Sequence, residues 1–332
     1  MRSRPFLAVA TLALAAWAAA DVGMRAGAPD PSETEVPVFH HLHLNTPDPD
    51  RSVRFYQQHF STAVPETVGG FAGVRTGHVL LLFSRGPKAA KAPQSAYWHF
   101  GWHVPSAKGY WERYRASGAP MTPLHTDQGG TVTFSGEWLP GTLTKAAAEA
   151  ARARSAAPSG SFGYGYLTGP DGEWIEYAGD HPAERFNHVH MFQNQVFCAE
   201  LWYAKHLHAP VSASAKNAPA RKTSDQDCAV PDGEPSWLSL VPEGTKRQPA
   251  GGVAFGDVEM NWYQRQGSAP LVSSRGQVMD HVGLQVHGLN AWLTRLRRSG
   301  VRVLKRPYRF GQGRAALIEG PSREVIELIE VP

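Results

Sequence analysis

Four short segments of this chain each place a histidine at their third residue: Phe39-His40-His41-Leu42-His43, Tyr97-Trp98-His99-Phe100-Gly101, Phe186-Asn187-His188-Val189-His190 and Met279-Asp280-His281-Val282-Gly283. Two later segments, Gly169-Pro170-Asp171-Gly172-Glu173-Trp174-Ile175-Glu176 and Gly320-Pro321-Ser322-Arg323-Glu324-Val325-Ile326-Glu327, end alike on a glutamate. A lone inward histidine is ordinarily a hydrogen-bonded core residue. The repeat gives these histidines another meaning, because two neutral imidazoles and a carboxylate on three strands form a facial ligand set for a divalent ion. Such a set leaves open positions for water or a bidentate substrate. Taken in chain order, the quarters give His41, His99 and Glu176 in the first half and His188, His281 and Glu327 in the second.

The elements that must hold these donors follow the same fourfold rhythm. Each quarter opens on a β-type run, continues into a helix with an apolar stripe and ends in further strands, a β-α-β-β-β pattern. In the first helix Asp48 or Asp50 can cap a face formed by Val53, Tyr56 and Phe60; in the second, Tyr110, Trp111 and Tyr114 precede a stop at Gly118. Cys198, Leu201 and Trp202 share a face of the third helix, and Leu289, Trp292, Leu293 and Leu296 precede Gly300 in the fourth. Side chains alternate along a strand, so His41 and His43 share a face, as do His99 and His103, and Trp174 and Glu176. Two stretches break the rhythm: an Ala-rich insertion between Gly136 and Gly160, expected to lie over the first site as a lid, and an irregular run from Ala209 to Pro235.

At these residues the chain resembles the vicinal oxygen chelate superfamily, which includes glyoxalase I, extradiol dioxygenases and bleomycin-resistance proteins. The resemblance rests on His41 through Asp50-Arg51-Ser52 to Phe55-Tyr56, on His99-Phe100-Gly101-Trp102-His103-Val104, and on Gly169-Pro170-Asp171-Gly172 leading to Glu176, with weaker copies at His188, His281 and Glu327. It implies an α+β fold in which four βαβββ modules pair into two tandem domains, residues 38–180 and 181–332, each an open barrel with a metal in its cup. It also implies His41, His99 and Glu176 as one ligand set and His188, His281 and Glu327 as a second. The ion would be Fe, Mn, Zn or Ni. The fourth ligand of glyoxalase I has no counterpart in Val79-Leu80-Leu81-Leu82-Phe83, and Glu259 falls one residue out of register in the second half. A three-ligand site fits the dioxygenase branch better. That branch also places a tyrosine before the Pro-x-Gly turn, which assigns Tyr166 to the substrate, and His103 and His43 are the local candidates for acid–base work. In the second half Leu317 stands in the place of Tyr166.

Composition bounds the rest. At 332 residues and 42% hydrophobic, the chain can bury the core of about two domains. Basic residues at 2 and 4, an apolar run to Ala20 and a small-residue end predict a secretory signal over residues 1–20, hence export to a periplasmic or extracellular space without stable membrane insertion after cleavage. Residues 21–37 are expected to form a flexible mature N-terminus that contributes nothing to the fold. Cys198 and Cys228 can pair in an oxidising compartment or remain free thiols. A formal charge of +4 with scattered basic residues gives no nucleic-acid stripe. The expected function is therefore that of an exported metal-dependent enzyme chelating a small substrate through adjacent oxygens, with dioxygenase chemistry slightly favoured over a lyase or isomerase reaction. The alternative is a non-catalytic binding protein of the bleomycin-resistance type.

Overall fold

The structure, a computed structural model, describes residues 30–87, 95–121, 123–126, 133–135, 139–140, 163–179, 181–193, 195–212, 240–241, 244–245, 250–264 and 270–332. The first module holds β1 (Val38–Thr46), α1 (Pro49–His59), β2 (Val64–Val68), β3 (Phe71–Thr76) and β4 (Val79–Arg85). In the second lie β5 (Tyr97–His103), α2 (Ala107–Ser117), the short β6 (Pro123–Thr126), β7 (Thr133–Ser135) and β8 (Leu139–Pro140), then β9 (Gly163–Thr168) and β10 (Trp174–Ala178). The third comprises β11 (Arg185–Gln193), α3 (Val196–Leu207), β12 (Leu240–Val241), β13 (Gly244–Thr245), β14 (Ala250–Phe255) and β15 (Val258–Gln264). The fourth runs β16 (Met279–Gln285), α4 (Leu289–Arg298), β17 (Val303–Phe310), β18 (Gly313–Glu319) and β19 (Val325–Glu330). Local signals act as expected: Asp48 Oδ1 accepts from Arg51 N at the start of α1, and Gly118 takes the left-handed conformation that ends α2.

The expected α+β fold of tandem βαβββ modules is present, but the first and second modules do not share a sheet, nor do the third and fourth. One eight-stranded sheet runs β17-β18-β19-β16-β1-β4-β3-β2 and joins the fourth module to the first. A seven-stranded sheet runs β14-β15-β11-β5-β10-β9-β8 and joins the third to the second. Both joints are antiparallel pairs of opening strands, β1 with β16 and β5 with β11. The first and second modules, and the third and fourth, are tied instead through helices and turns: Tyr56 of α1 donates to Glu173 (2.7 Å), Arg51 reaches Asp171, and Tyr203 of α3 donates to Glu324 (2.8 Å).

Each opening strand carries a bulge directly before its histidine. The ladder register slips at His40 and Asp280 in one joint and at Asn187 and Trp98 in the other. A bulge adds one unpaired residue and so inverts the alternation downstream. Phe39, Tyr97, Phe186 and Met279 therefore stay in the core together with Leu42, Phe100, Val189 and Val282, three residues further on. The histidines between them are turned to the opposite face. The main core is an apolar cluster that spans both sheets and the helices; Phe60, at the C-terminal cap of α1, lies flat on Trp102 of β5 (4.1 Å between ring centroids), and Phe39 stacks on Phe186.

Residues 30–37, expected to stand outside the fold, are docked on it; residues 21–29 lie outside the described residues. Glu35 accepts from the His287 backbone N–H (3.1 Å) and from Trp292 Nε1 (2.9 Å), and Ser32 is buried. Glu35→Ala should lower unfolding free energy by about 1 kcal/mol in urea denaturation, the usual net worth of partly exposed hydrogen bonds; no change would return this segment to a passive tail. A second test concerns Glu324, which is fully buried under its turn. Burial raises its pKa to about 7 against the opposing hydrogen bonds from Tyr203 and the Ser322 N–H. The folded value lies above the ordinary one of 4.5, so this group's contribution is full below about pH 4.5 and is lost as pH rises through 7. The stability advantage of wild type over Glu324→Gln should therefore shrink by up to about 3 kcal/mol between pH 4.5 and 8. An advantage that grows with pH would refute the assignment.

Candidate metal centres

Because opening strands pair β1 with β16 and β5 with β11, the six predicted donors meet in combinations that chain order did not give. His41 and His99 are in different sheets, and so are His188 and His281. The expected sets, His41-His99-Glu176 and His188-His281-Glu327, are thus replaced by His41-His281-Glu327 and His99-Glu176-His188. The physical reason is the strand pairing: each histidine faces a residue of its antiparallel partner, and each glutamate lies beside the strand of its own module.

In the centre between the first and fourth modules, His41 Nε2 lies 3.3 Å and His281 Nε2 4.0 Å from Glu327 Oε2. All three side chains are buried. The far nitrogens are held by the bulge residues: His41 Nδ1 by His40 Nδ1 (2.8 Å) and His281 Nδ1 by Asp280 Oδ1 (2.6 Å). His41 Nε2, His281 Nε2 and Glu327 Oε2 have no aligned hydrogen-bond partner. Three orphaned buried donors converging on one point fit a divalent ion. Burial, reinforced by His281, His40 and His43, holds the His41 pKa well below the usual imidazole range and keeps its lone pair free. Burial pushes Glu327 upward, against the pull of His281 and a hydrogen bond from the Tyr308 hydroxyl.

In the centre between the second and third modules, His99 Nε2 lies 3.0 Å from Glu176 Oε2 and His188 Nε2 3.8 Å from Glu176 Oε1. His190 adds a fourth donor to this group, all of whose donor atoms fall within 4.8 Å of one another. Asn187, the bulge residue, accepts from His188 Nδ1 (2.8 Å). Burial alone would raise the Glu176 pKa; His188, His99 and His190 outweigh it and hold the carboxyl well below its ordinary range. Tyr166 donates to Glu176 and stands edge-on to His99. Trp98 forms a partly exposed aromatic wall with Phe192 and Tyr263.

The remaining sequence candidates divide. Tyr166 reaches its glutamate. His43 stands with His41 and His281, not with His99 and Glu176. His103 is set back: it meets Asn187 Nδ2 (2.6 Å), stacks on His181, and its pKa is pushed down to about 3 by burial, then by His181 and His188. Glu259 is opposite His188, whereas Asn261 is opposite His190 in the register that Glu176 and Glu327 occupy in their own modules, so Glu259 is two residues away on the same face. Sequence reasoning missed His190, whose spacing repeats that of His43, and Tyr308, which no motif marks because it approaches Glu327 from another strand than Tyr166's equivalent, Leu317. Cys198 is disulfide-bonded; Cys228, most of the 209–235 run and the expected lid between 136 and 160, apart from the backbone of β8, lie outside the described residues.

Paired βαβββ modules presenting histidine and glutamate from the strands of open sheets define a fold class. Residues 38–177 and 185–328 match the Glyoxalase family, described as the Glyoxalase/Bleomycin resistance protein/Dioxygenase superfamily, and the chain belongs to it. Among solved structures it is similar to glyoxalase I from Zea mays, with a TM-score of 0.54 at 14% identity over 89% of this chain and 92% of that one. It is also similar to a protein from Bacillus subtilis subsp. subtilis described as a putative dioxygenase, with a TM-score of 0.54 at 10% identity over 90% and 86% of the two chains. At these identities the likeness is one of fold. No curated protein matches the chain. Among the described residues no helix is long and apolar enough to cross a membrane.

Both centres require glycine on the facing strand. A Cβ on Gly283 would lie 2.0 Å from His41 Cε1, and one on Gly101 2.5 Å from His188 Cε1. Gly283→Ala and Gly101→Ala should each displace one imidazole and weaken whatever divalent-ion uptake its own centre shows, as read by elemental analysis after titration. Unchanged stoichiometry in both would show that these rings are not ligands.

Proposed function

We propose that this protein is a divalent-metal-dependent enzyme that binds a small, planar substrate through two adjacent oxygens, with the centre at His99, His188 and Glu176 as the working site. The observation that carries this is the convergence of His99 and His188 on the Glu176 carboxylate beside the Tyr166 hydroxyl and an aromatic wall. When bound, a divalent ion would supply Lewis-acid polarisation of two substrate oxygens. The chain's own groups do the remainder. Glu176, held ionised by its imidazoles, fixes the Tyr166 hydroxyl, and that hydroxyl can hold or pass a proton at a substrate oxygen. Asn187 sets the orientation of His188, and Trp98, Phe192 and Tyr263 offer flat apolar surface that excludes water.

Oxidative ring opening of a catechol-like compound and a redox-neutral lyase or isomerase reaction both begin from such a chelate. The choice between them turns on how many donors the protein supplies. We also propose export: the basic–apolar–small pattern of the first 20 residues supports it, as does the disulfide at Cys198.

Elemental analysis of purified protein should find about two ions per chain, falling to one in Glu176→Gln. Tyr166→Phe should keep both ions while lowering turnover by about 10²-fold or more on any substrate found in a screen of catechols and hydroxycarbonyl compounds. No bound ion and no uptake on titration at neutral pH would sink the metalloenzyme assignment.

A further inference from the structure

We propose that His43 and His190 are fourth protein ligands, one in each centre, so that each ion is held by three imidazoles and one carboxylate. The inference rests on the metalloenzyme reading above and concerns the number of donors and hence the class of reaction.

Four observations carry it. First, both residues stand two positions after a bulge-turned histidine, on the same face, and each is paired across the joint with the opposing ligand: His43 with His281 and His190 with His99. The other two opening strands carry Gly101 and Gly283 at that position, so the pattern of histidine on one strand and glycine on its partner occurs in both joints. Second, the donor atoms of His99, Glu176, His188 and His190 fall within 4.8 Å of one another, as do those of His41, His43 and His281, which Glu327 joins through His41 (3.3 Å) and His281 (4.0 Å) rather than through His43. Third, His43 is 3% exposed and its Nδ1 has no hydrogen-bond partner, while its Nε2 meets Ser84 Oγ at 2.6 Å. With Nε2–H donating to Ser84, Nδ1 presents a lone pair, as Nε2 does in His41 and His281. Fourth, the neighbouring strand offers no carboxylate at this register. Leu82 lies opposite His43 and Asn261 opposite His190, where Gly101 and Gly283 face Glu176 and Glu327.

A six-coordinate ion with four protein donors has two positions left. One bidentate substrate fills both, with none for dioxygen. Three neutral imidazoles and one carboxylate also leave a divalent ion with a net positive charge, which favours a substrate binding as an anion through its two oxygens. The count thus favours the redox-neutral branch, a lyase or isomerase acting on an α-hydroxycarbonyl or similar chelating compound, over oxidative ring opening.

The test uses full-length protein stripped of metal and reloaded. Titration with Co(II), followed by ligand-field absorption, should give two ions per chain in wild type. His43→Gln and His190→Gln should each weaken one site by at least about ten-fold and change its spectrum. Both variants folded, shown by far-ultraviolet circular dichroism, and binding two ions with wild-type affinity and spectra would overturn the proposal while leaving the metalloenzyme reading intact. Wild type binding no Co(II) would overturn both. Should a variant fail to fold, electron-spin-echo modulation on Cu(II)-loaded wild type decides the matter: three coordinated imidazoles per ion are expected, and two would refute the fourth ligand. Oxygen uptake by Fe(II)-loaded wild type with catechols would overturn the redox-neutral assignment.

Discussion

One extra residue in each opening strand governs this molecule. Without the bulges at His40, Trp98, Asn187 and Asp280, strict alternation would put each following histidine on the same face as the aromatic or methionine two residues before it. That face is the core, where an unpaired imidazole costs free energy. With the bulge, Phe39, Tyr97, Phe186 and Met279 stay inside and the histidines face the cups. Three of the four bulge residues also hold the ring that they turned: His40, Asn187 and Asp280 hydrogen-bond Nδ1 of the next histidine. A single backbone device therefore sets the direction of a candidate donor and supplies the partner of its far nitrogen.

The two centres share this plan and differ around it. Phe310 stacks on His41 and Phe71 stands edge-on to His43, within a small apolar cluster with Leu80, Leu82 and Ile329. Beside His99 and His190 the wall is Trp98, which keeps some contact with solvent. The glutamates differ in the same sense: Glu176 is held ionised by its imidazoles, whereas burial dominates at Glu327. Each accepts from a tyrosine, Tyr166 through the adjacent strand β9 and Tyr308 from β17, one strand further out. The hydroxyl recurs although the strand position does not, which ties it to the carboxylate it serves.

The connections between modules divide the labour. Opening strands join the first module to the fourth and the second to the third and bring the candidate donors together, while Tyr56 to Glu173 and Tyr203 to Glu324 bind the first module to the second and the third to the fourth under their Gly-Pro turns. Both turns use a left-handed residue, Gly172 in one and Arg323 in the other. A non-glycine there is strained by about 1 kcal/mol. The fourth module tolerates it because the turn is fixed by the buried Glu324, which accepts from the Ser322 N–H.

The sequence by itself determined the four modules, their helices and several of their caps, and it singled out the candidate donors, because periodicity, capping residues and the repeated third-position histidine are local properties. His41, His99, His188, His281, Glu176 and Glu327 could all be named from it, and Tyr166 could be placed beside Glu176. Which donors meet was decided only by tertiary structure. All four opening strands carry nearly the same apolar pattern and the same histidine, so nothing in any one of them specifies its partner; pairing is a choice among like edges, made by the packing of whole modules. The same holds for Tyr308 and His190, whose roles depend on strands far apart in the chain, and for residues 30–37, whose acidic, Pro-rich composition concealed a carboxylate that finds its donors, His287 and Trp292, more than 250 residues away.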